Sequence, residues 1–218
     1  MSQQSFVLSI ENPEVGQGKS SIAWLLLAEL AKLRLNPVGL NGDIINPENN
    51  DPTISTFVNP DIFTGFDVIA APDAKADIFK RNVIIDGSRT PGEQVKTLIA
   101  ARSTGVIIPI RSMRGYINGI AYARELFRQS VPFCFVLNGF DGDKAEKFDS
   151  VLDAFESRLF DLGDSLSGVQ DITSTGSTQF MNPKWRCIKE AIAGLTDDLL
   201  QWSGSVSQSP KLEAVANG

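Results

Sequence analysis

The chain has 218 residues, of which 42% are hydrophobic and 21% charged, with a net charge of −6. This is the size and composition of one soluble globular domain with a sizeable core, and the net acidity argues against wholesale nucleic-acid binding. Histidine is absent, which excludes Ser-His-Asp, Cys-His and His-zinc chemistry, and Cys134 and Cys187 have no CxxC spacing and make no disulfide framework.

In chain order, Ser5 to Ile10 (SFVLSI) is a short apolar run of strand formers, followed by a glycine-containing loop. Ser20 to Arg34 holds no Gly or Pro and is apolar on most faces, which predicts a buried helix stopped by Asn36 and Pro37. Its run IAWLLLA is broken by Glu29 and is too short to span a bilayer. No basic leader precedes it, so a cytoplasmic location is expected. Pro37 to Leu40 predicts a second strand, ending at Asn41-Gly42-Asp43.

Residues 44–64 are rich in Asn, Asp and Pro and predict a long loop with one short helix. Further strands are predicted at 66–71, 82–88, 105–110, 132–138 and 168–172, and helices at 92–102, 115–129, 143–162 and 182–202. Continuous apolar strands alternating with helices indicate an α/β fold whose parallel sheet is covered on both faces. Residues 1–202 are expected to form one domain. The small, polar 203–218 stretch is expected to be a disordered tail. Cys134, inside VPFCFVL, is a core candidate.

The loop after the first strand reads ENPEVGQGKSS. A strand, a glycine loop and a helix opening Lys-Ser are the parts of a phosphate-binding loop. Backbone N–H groups at the helix start point at an anion, and Gly16 and Gly18 let the backbone approach it. Lys19 would reach the β- and γ-phosphates, and the Ser20 hydroxyl would ligate Mg²⁺. Val15, Gly16, Gln17, Gly18, Lys19, Ser20 and Ser21 are the candidate nucleotide contacts. Pro13 stands where the full G-x-x-x-x-G-K-[ST] pattern has its first glycine.

Two carboxylates sit at strand ends. Asp86 closes NVIID, the Walker B pattern, and either holds Mg²⁺ through water or caps the turn GSRTPG. Asp43 lies at the carboxyl edge of the sheet, where open α/β folds bind ligands, or is a turn residue of NGD.

These motifs together resemble the ParA/MinD group of deviant Walker A P-loop ATPases over residues 5 to about 202. GQGKSS matches the end of that loop, and Asp43 falls 24 positions after Lys19, where the group has the second Asp of D-x-D. VIIDGSRTPG is similar to its Walker B and switch II, GVIIPIRSM to its Pro-ending strand, and FVLNGFD to the strand whose Asn commonly faces the adenine. The resemblance implies a three-layer αβα P-loop NTPase fold, ATP and Mg²⁺ as cofactors, Lys19 and Asp43 as catalytic residues and Asn138 as a base contact. It also implies a homodimer, and DNA or a DNA-bound protein as a possible partner. Asn138 is equally readable as a strand-end turn residue.

Three positions depart from the group. Glu14 and Val15 replace the Lys-Gly of its loop, whose lysine reaches the partner subunit's nucleotide, and Asn41 replaces the first Asp of D-x-D. Glu14 is expected to bring negative charge towards phosphate, and Arg89, Arg111 or Arg114 are candidates to supply the missing positive charge. Residues 80–128 carry nine basic and three acidic side chains, a local +6 against −12 elsewhere. This is either a set of solvated helix faces or a basic surface for DNA, acidic lipid or an acidic partner.

The leading functional reading is an ATP-dependent molecular switch in plasmid or chromosome partition or cargo positioning, with slow hydrolysis. The alternative is a catalytically weak or inactive interaction module of a partition or conjugal-transfer system. Third is a small-molecule kinase or ligase of the same fold, although 44–80 holds no recognisable substrate motif.

Overall fold

The computed structural model describes residues 5–42, 65–70, 73–87, 102–139, 158–162 and 183–208. Among these residues seven strands form one parallel sheet: β1 (Val7–Ile10), β2 (Pro37–Asn41), β3 (Asp67–Ala70), β4 (Asn82–Asp86), β5 (Gly105–Ile110), β6 (Phe133–Leu137) and β7 (Arg158–Asp161), in the order β3-β2-β4-β1-β5-β6-β7. Strand β1 is central, paired in register Ile10↔Asp86 with β4 and Ile10↔Ile107 with β5. The chain therefore leaves β1 towards both sides, the arrangement that opens a crevice at the carboxyl ends of the strands.

The continuous apolar strands follow from burial on both faces. Leu8, Ile10, Ile84, Ile107, Cys134 and Val136 point to one face, where they meet helix α1 (Lys19–Lys32) and helix α3 (Pro183–Gln208). Alternate residues Val106, Ile108, Ile110, Phe135 and Leu137 point to the other, under Ile120, Ala123 and Leu126 of helix α2 (Met113–Arg128). Val7, Val38, Leu40, Val83 and Ile85 continue that second face towards Ile78 and Phe79. The result is the expected three-layer αβα sandwich. Helix α1 buries Ile22, Ala23, Leu25, Leu26, Leu27 and Leu30, a broad arc, because both the sheet and α3 pack on it. Cys134 is fully buried, as expected.

Two expectations are corrected. A helix was expected over 143–162, yet Arg158–Asp161 is the edge strand β7, paired Cys134↔Arg158 through Leu137↔Asp161. No Gly or Pro separates RLFDL from the preceding residues, so local pattern gives no boundary there. The unpaired backbone edge of β6 decides it, and Leu162 N–H donates to the Leu137 carbonyl (3.0 Å). The tail expected from 203 begins instead as helix, since α3 runs on through Gln208. Trp202 (6% exposed) anchors that turn over Gly105, where a Cβ would meet its ring. The Ser203 hydroxyl donates to the Leu200 carbonyl (3.1 Å). The expected loop at 44–64, the strand at 168–172, nearly all of the helix at 92–102 and residues 143–157 lie outside the described residues, as do 209–218. Among the described residues no helix is long and apolar enough to cross a membrane.

Candidate nucleotide site

The loop between β1 and α1 is built on two left-handed glycines, Gly16 (φ 70°) and Gly18 (φ 90°). Glycine holds that conformation at the least steric cost. At Gly18 a Cβ would also collide with the side-chain amide of Asn138. Gly18 is the residue immediately before α1, whose amino end has no side-chain cap and no acid in its first turn. The first N–H groups of a helix have no intrahelical partners, and the helix dipole adds positive potential there. The start of α1 therefore offers donors to an anion, and its own first turn sets no carboxylate against it.

Lys19, half-buried, folds back so that its Nζ donates to the carbonyls of Asn12 (3.0 Å) and Glu14 (3.2 Å). Ser20 and Ser21 follow in the first turn, both half-buried, and Val15 is 37% exposed. Asp86 is 1% exposed at the end of β4. It stands beside Ile10, and its carbonyl accepts the Gly42 N–H (2.9 Å). Gly87 N–H donates to the Ile10 carbonyl (3.0 Å), and a Cβ at Gly87 would meet the Glu11 carboxyl. The ends of β1, β2 and β4 thus bring the loop, Asn41 and Asp86 to one edge. Asp43 and Arg89 lie outside the described residues.

Asn138 sits beneath the loop. It is 3% exposed, and its Nδ2 donates to the Gln17 carbonyl (2.9 Å), so part of the residue expected to face a base props the loop instead. Gln17, expected as a nucleotide contact, is 3% exposed and turns its side chain into the fold. Its Oε1 accepts the N–H groups of Arg111 (2.8 Å) and Ser112 (3.2 Å), and its Nε2 donates to the Val15 carbonyl (2.9 Å) and the Ser112 hydroxyl (3.1 Å).

Glu14 does not behave as the sequence suggested. Its carboxylate accepts from Asn118 Nδ2 (2.9 Å) and pairs with Arg114 Nε (3.1 Å). Its charge is committed to α2 and is matched by a cation. Arg114, one of the candidate replacement cations, is engaged in that pair, while Arg111 is exposed just before α2.

Sequence reasoning missed Asn12, Ser112 and Gly115. Asn12 Nδ2 donates to the carbonyls of Pro109 (2.8 Å) and Gly115 (3.1 Å), and its Oδ1 accepts the Glu14 N–H (2.8 Å). Ser112 caps α2 by accepting the Gly115 N–H (3.0 Å). A Cβ at Gly115 would run into Gln17 Oε1. The Ser before a helical run was a readable cap signal; the long-range bonds of Asn12 had no local signal. Nearby, burial first, and then the carboxylates of Glu11 and Glu125, push the Tyr122 phenol above its ordinary range and keep it neutral.

An all-parallel αβα sandwich with a glycine loop running from its central strand into a helix is a P-loop NTPase fold. No protein-family model matches the sequence, and no curated protein matches it. Solved structures do share the fold. It is similar to the MinD cell division protein of Aquifex aeolicus (TM-score 0.63, 12% identity, 90% of this chain and 97% of that one). It is similar also to septum site-determining MinD of Pyrococcus horikoshii OT3 complexed with Mg-ADP (0.61, 11%, 94% and 99%). A third likeness is to an ATP complex of a Cyanothece McdA variant (0.61, 14%, 90% and 97%). The architecture is thus that of the MinD/ParA ATPases, as the sequence motifs suggested.

Proposed function

We propose that this chain is a ParA/MinD-like nucleotide switch that binds Mg-ATP and Mg-ADP at Val15–Ser21 and hydrolyses ATP slowly, in partition or in the positioning of a cargo. The observation that carries this reading is the uncapped start of α1, delivered by left-handed Gly16 and Gly18 beside the buried Asp86. Loop amides would bind the phosphates, and Lys19 would exchange its two carbonyl partners for phosphate oxygens. Ser20 and Asp86, the latter through water, would hold Mg²⁺; a hydroxyl and a carboxylate are the hard oxygen donors that ion takes. Bound Mg²⁺ would neutralise charge on the phosphates. Asp43 would orient the attacking water. A homodimer, and a DNA or acidic partner at the exposed Arg111, Arg124 and Arg128, belong to the same proposal.

One observation favours a second reading. Glu14 is tied to α2 and puts no cation at the loop's leading position. A chain that holds nucleotide with little turnover, and serves as an interaction module, fits that arrangement. Titration of Mg-ATP and steady-state turnover, on wild type and Lys19→Ala, separate the readings. Removing a charge-assisted phosphate contact should weaken binding roughly 10- to 100-fold. Binding with turnover, both lost in K19A, supports the switch, and binding without turnover supports the module. Equal binding by K19A and wild type, or none by either, sinks both.

A further inference from the structure

The loop's side chains at 12, 14 and 17 all reach the β5–α2 junction and the first turns of α2. Asn12 bonds the carbonyls of Pro109 and Gly115, Gln17 takes the N–H groups of Arg111 and Ser112, and Glu14 takes Asn118 and Arg114. Arg114 and Asn118 are four residues apart, so they lie one turn apart on the same side of α2, and both reach the same oxygen, Oε2, of the Glu14 carboxylate. Glu14 is 16% exposed at its side chain and Arg114 80%. The carboxylate is thus the sheltered partner, held against the helix by a cation at the surface. The Glu14 carbonyl meanwhile accepts from Lys19 Nζ. One residue therefore links α2, through its side chain, to the principal cation of the loop, through its backbone.

We propose that Glu14 is a positioning residue: its clasp to Arg114 and Asn118 fixes the phosphate loop and Lys19 against α2 within one subunit. The clasp neutralises the Glu14 charge in cis, so phosphate binding tolerates it. Loop position and α2 position become coupled, because moving one breaks bonds to the other. The proposal rests on the reading that this loop binds phosphate, and it makes an unexpected prediction. Lysine at position 14, the residue that the ParA/MinD resemblance would put there, should damage the site, because it would face Arg114.

The test is a charge swap on the full chain, comparing wild type, E14K, R114E and the double variant E14K/R114E. Two quantities are read: Mg-ADP binding with a fluorescent ADP, and hydrogen exchange of the 12–20 amides without nucleotide. Circular dichroism and thermal unfolding confirm that each variant folds. Each single variant should bind Mg-ADP about fivefold more weakly and exchange its loop amides about fivefold faster, the scale of a partly buried pair with one hydrogen bond. The double variant should recover to within about twofold of wild type on both readouts. A glutamate that acted through packing, or through its own charge at the phosphates, would not be rescued by reversing both charges, and a pair that only added global stability would move thermal unfolding without moving loop exchange or Mg-ADP binding. A double variant no better than the singles overturns the proposal, as does an E14K that binds as tightly as wild type with unchanged exchange. If wild type binds no Mg-ADP, the nucleotide reading fails, and the exchange pattern alone upholds or overturns the clasp.

Discussion

Helices α1 and α2 both start at the carboxyl edge of the sheet, and both follow one of its central strands, yet their amino ends are finished in opposite ways. The start of α2 is closed: Ser112 caps the Gly115 N–H and Gln17 takes those of Arg111 and Ser112. The start of α1 has no side-chain cap and is led by a left-handed glycine. Any helix start concentrates donors and positive potential. What distinguishes α1, and makes it the proposed anion site, is that it has no side-chain cap. The closed end also supports the open one, since the side chain that seals α2 belongs to the loop that leads into α1.

The strongest way to break this contrast is Gly115→Ala. The new methyl would collide with Gln17 Oε1 in a packed interior. Overpacking and a broken buried network should together cost about 2–4 kcal/mol in chemical denaturation and abolish nucleotide binding. A neutral result would mean that Gln17 has room to turn away and that the closed end does not support the loop.

A finer comparison sets two serines against each other. Ser112→Ala removes a cap and should lower stability by about 1 kcal/mol. Ser20→Ala removes no cap, so unfolding should shift by less than about 0.5 kcal/mol while Mg²⁺-dependent ATP binding falls. The reverse pattern would reverse the roles assigned to the two helix starts. At the far end of α1, Lys32→Ala breaks only the exposed pair with Glu29 (2.8 Å). It should change stability by less than about 0.5 kcal/mol and leave nucleotide binding untouched.

Much of this contrast was legible in the sequence, though unevenly. GQGKSS announced a glycine turn leading into a helix because glycine, lysine and serine at that spacing have a local backbone meaning. NVIID announced a buried strand with a terminal carboxylate for the same reason. The seventh strand was hidden, because RLFDL has no boundary signal and becomes a strand only by pairing with β6. Gln17 and Asn12 were hidden as well. Their bonds cross about a hundred residues of chain, to Ser112 and Pro109, and no local pattern carries that separation.

The sequence by itself determined the kind of fold, since apolar runs buried on both faces alternate with helices and admit a parallel sheet between helical layers. It also determined which loop meets phosphate in the proposed function, because left-handed geometry favours glycine and a phosphate site needs a cation. The direction of the Glu14 charge was decided only by the tertiary structure. Read along the chain, a carboxylate in that loop looks repulsive. Folded, it faces Arg114 and Asn118, which lie a hundred residues away in sequence and about 3 Å away in space. Coulomb energy grows as distance shrinks, so the nearest charge weighs heavily, and only folding brings Arg114 near Glu14.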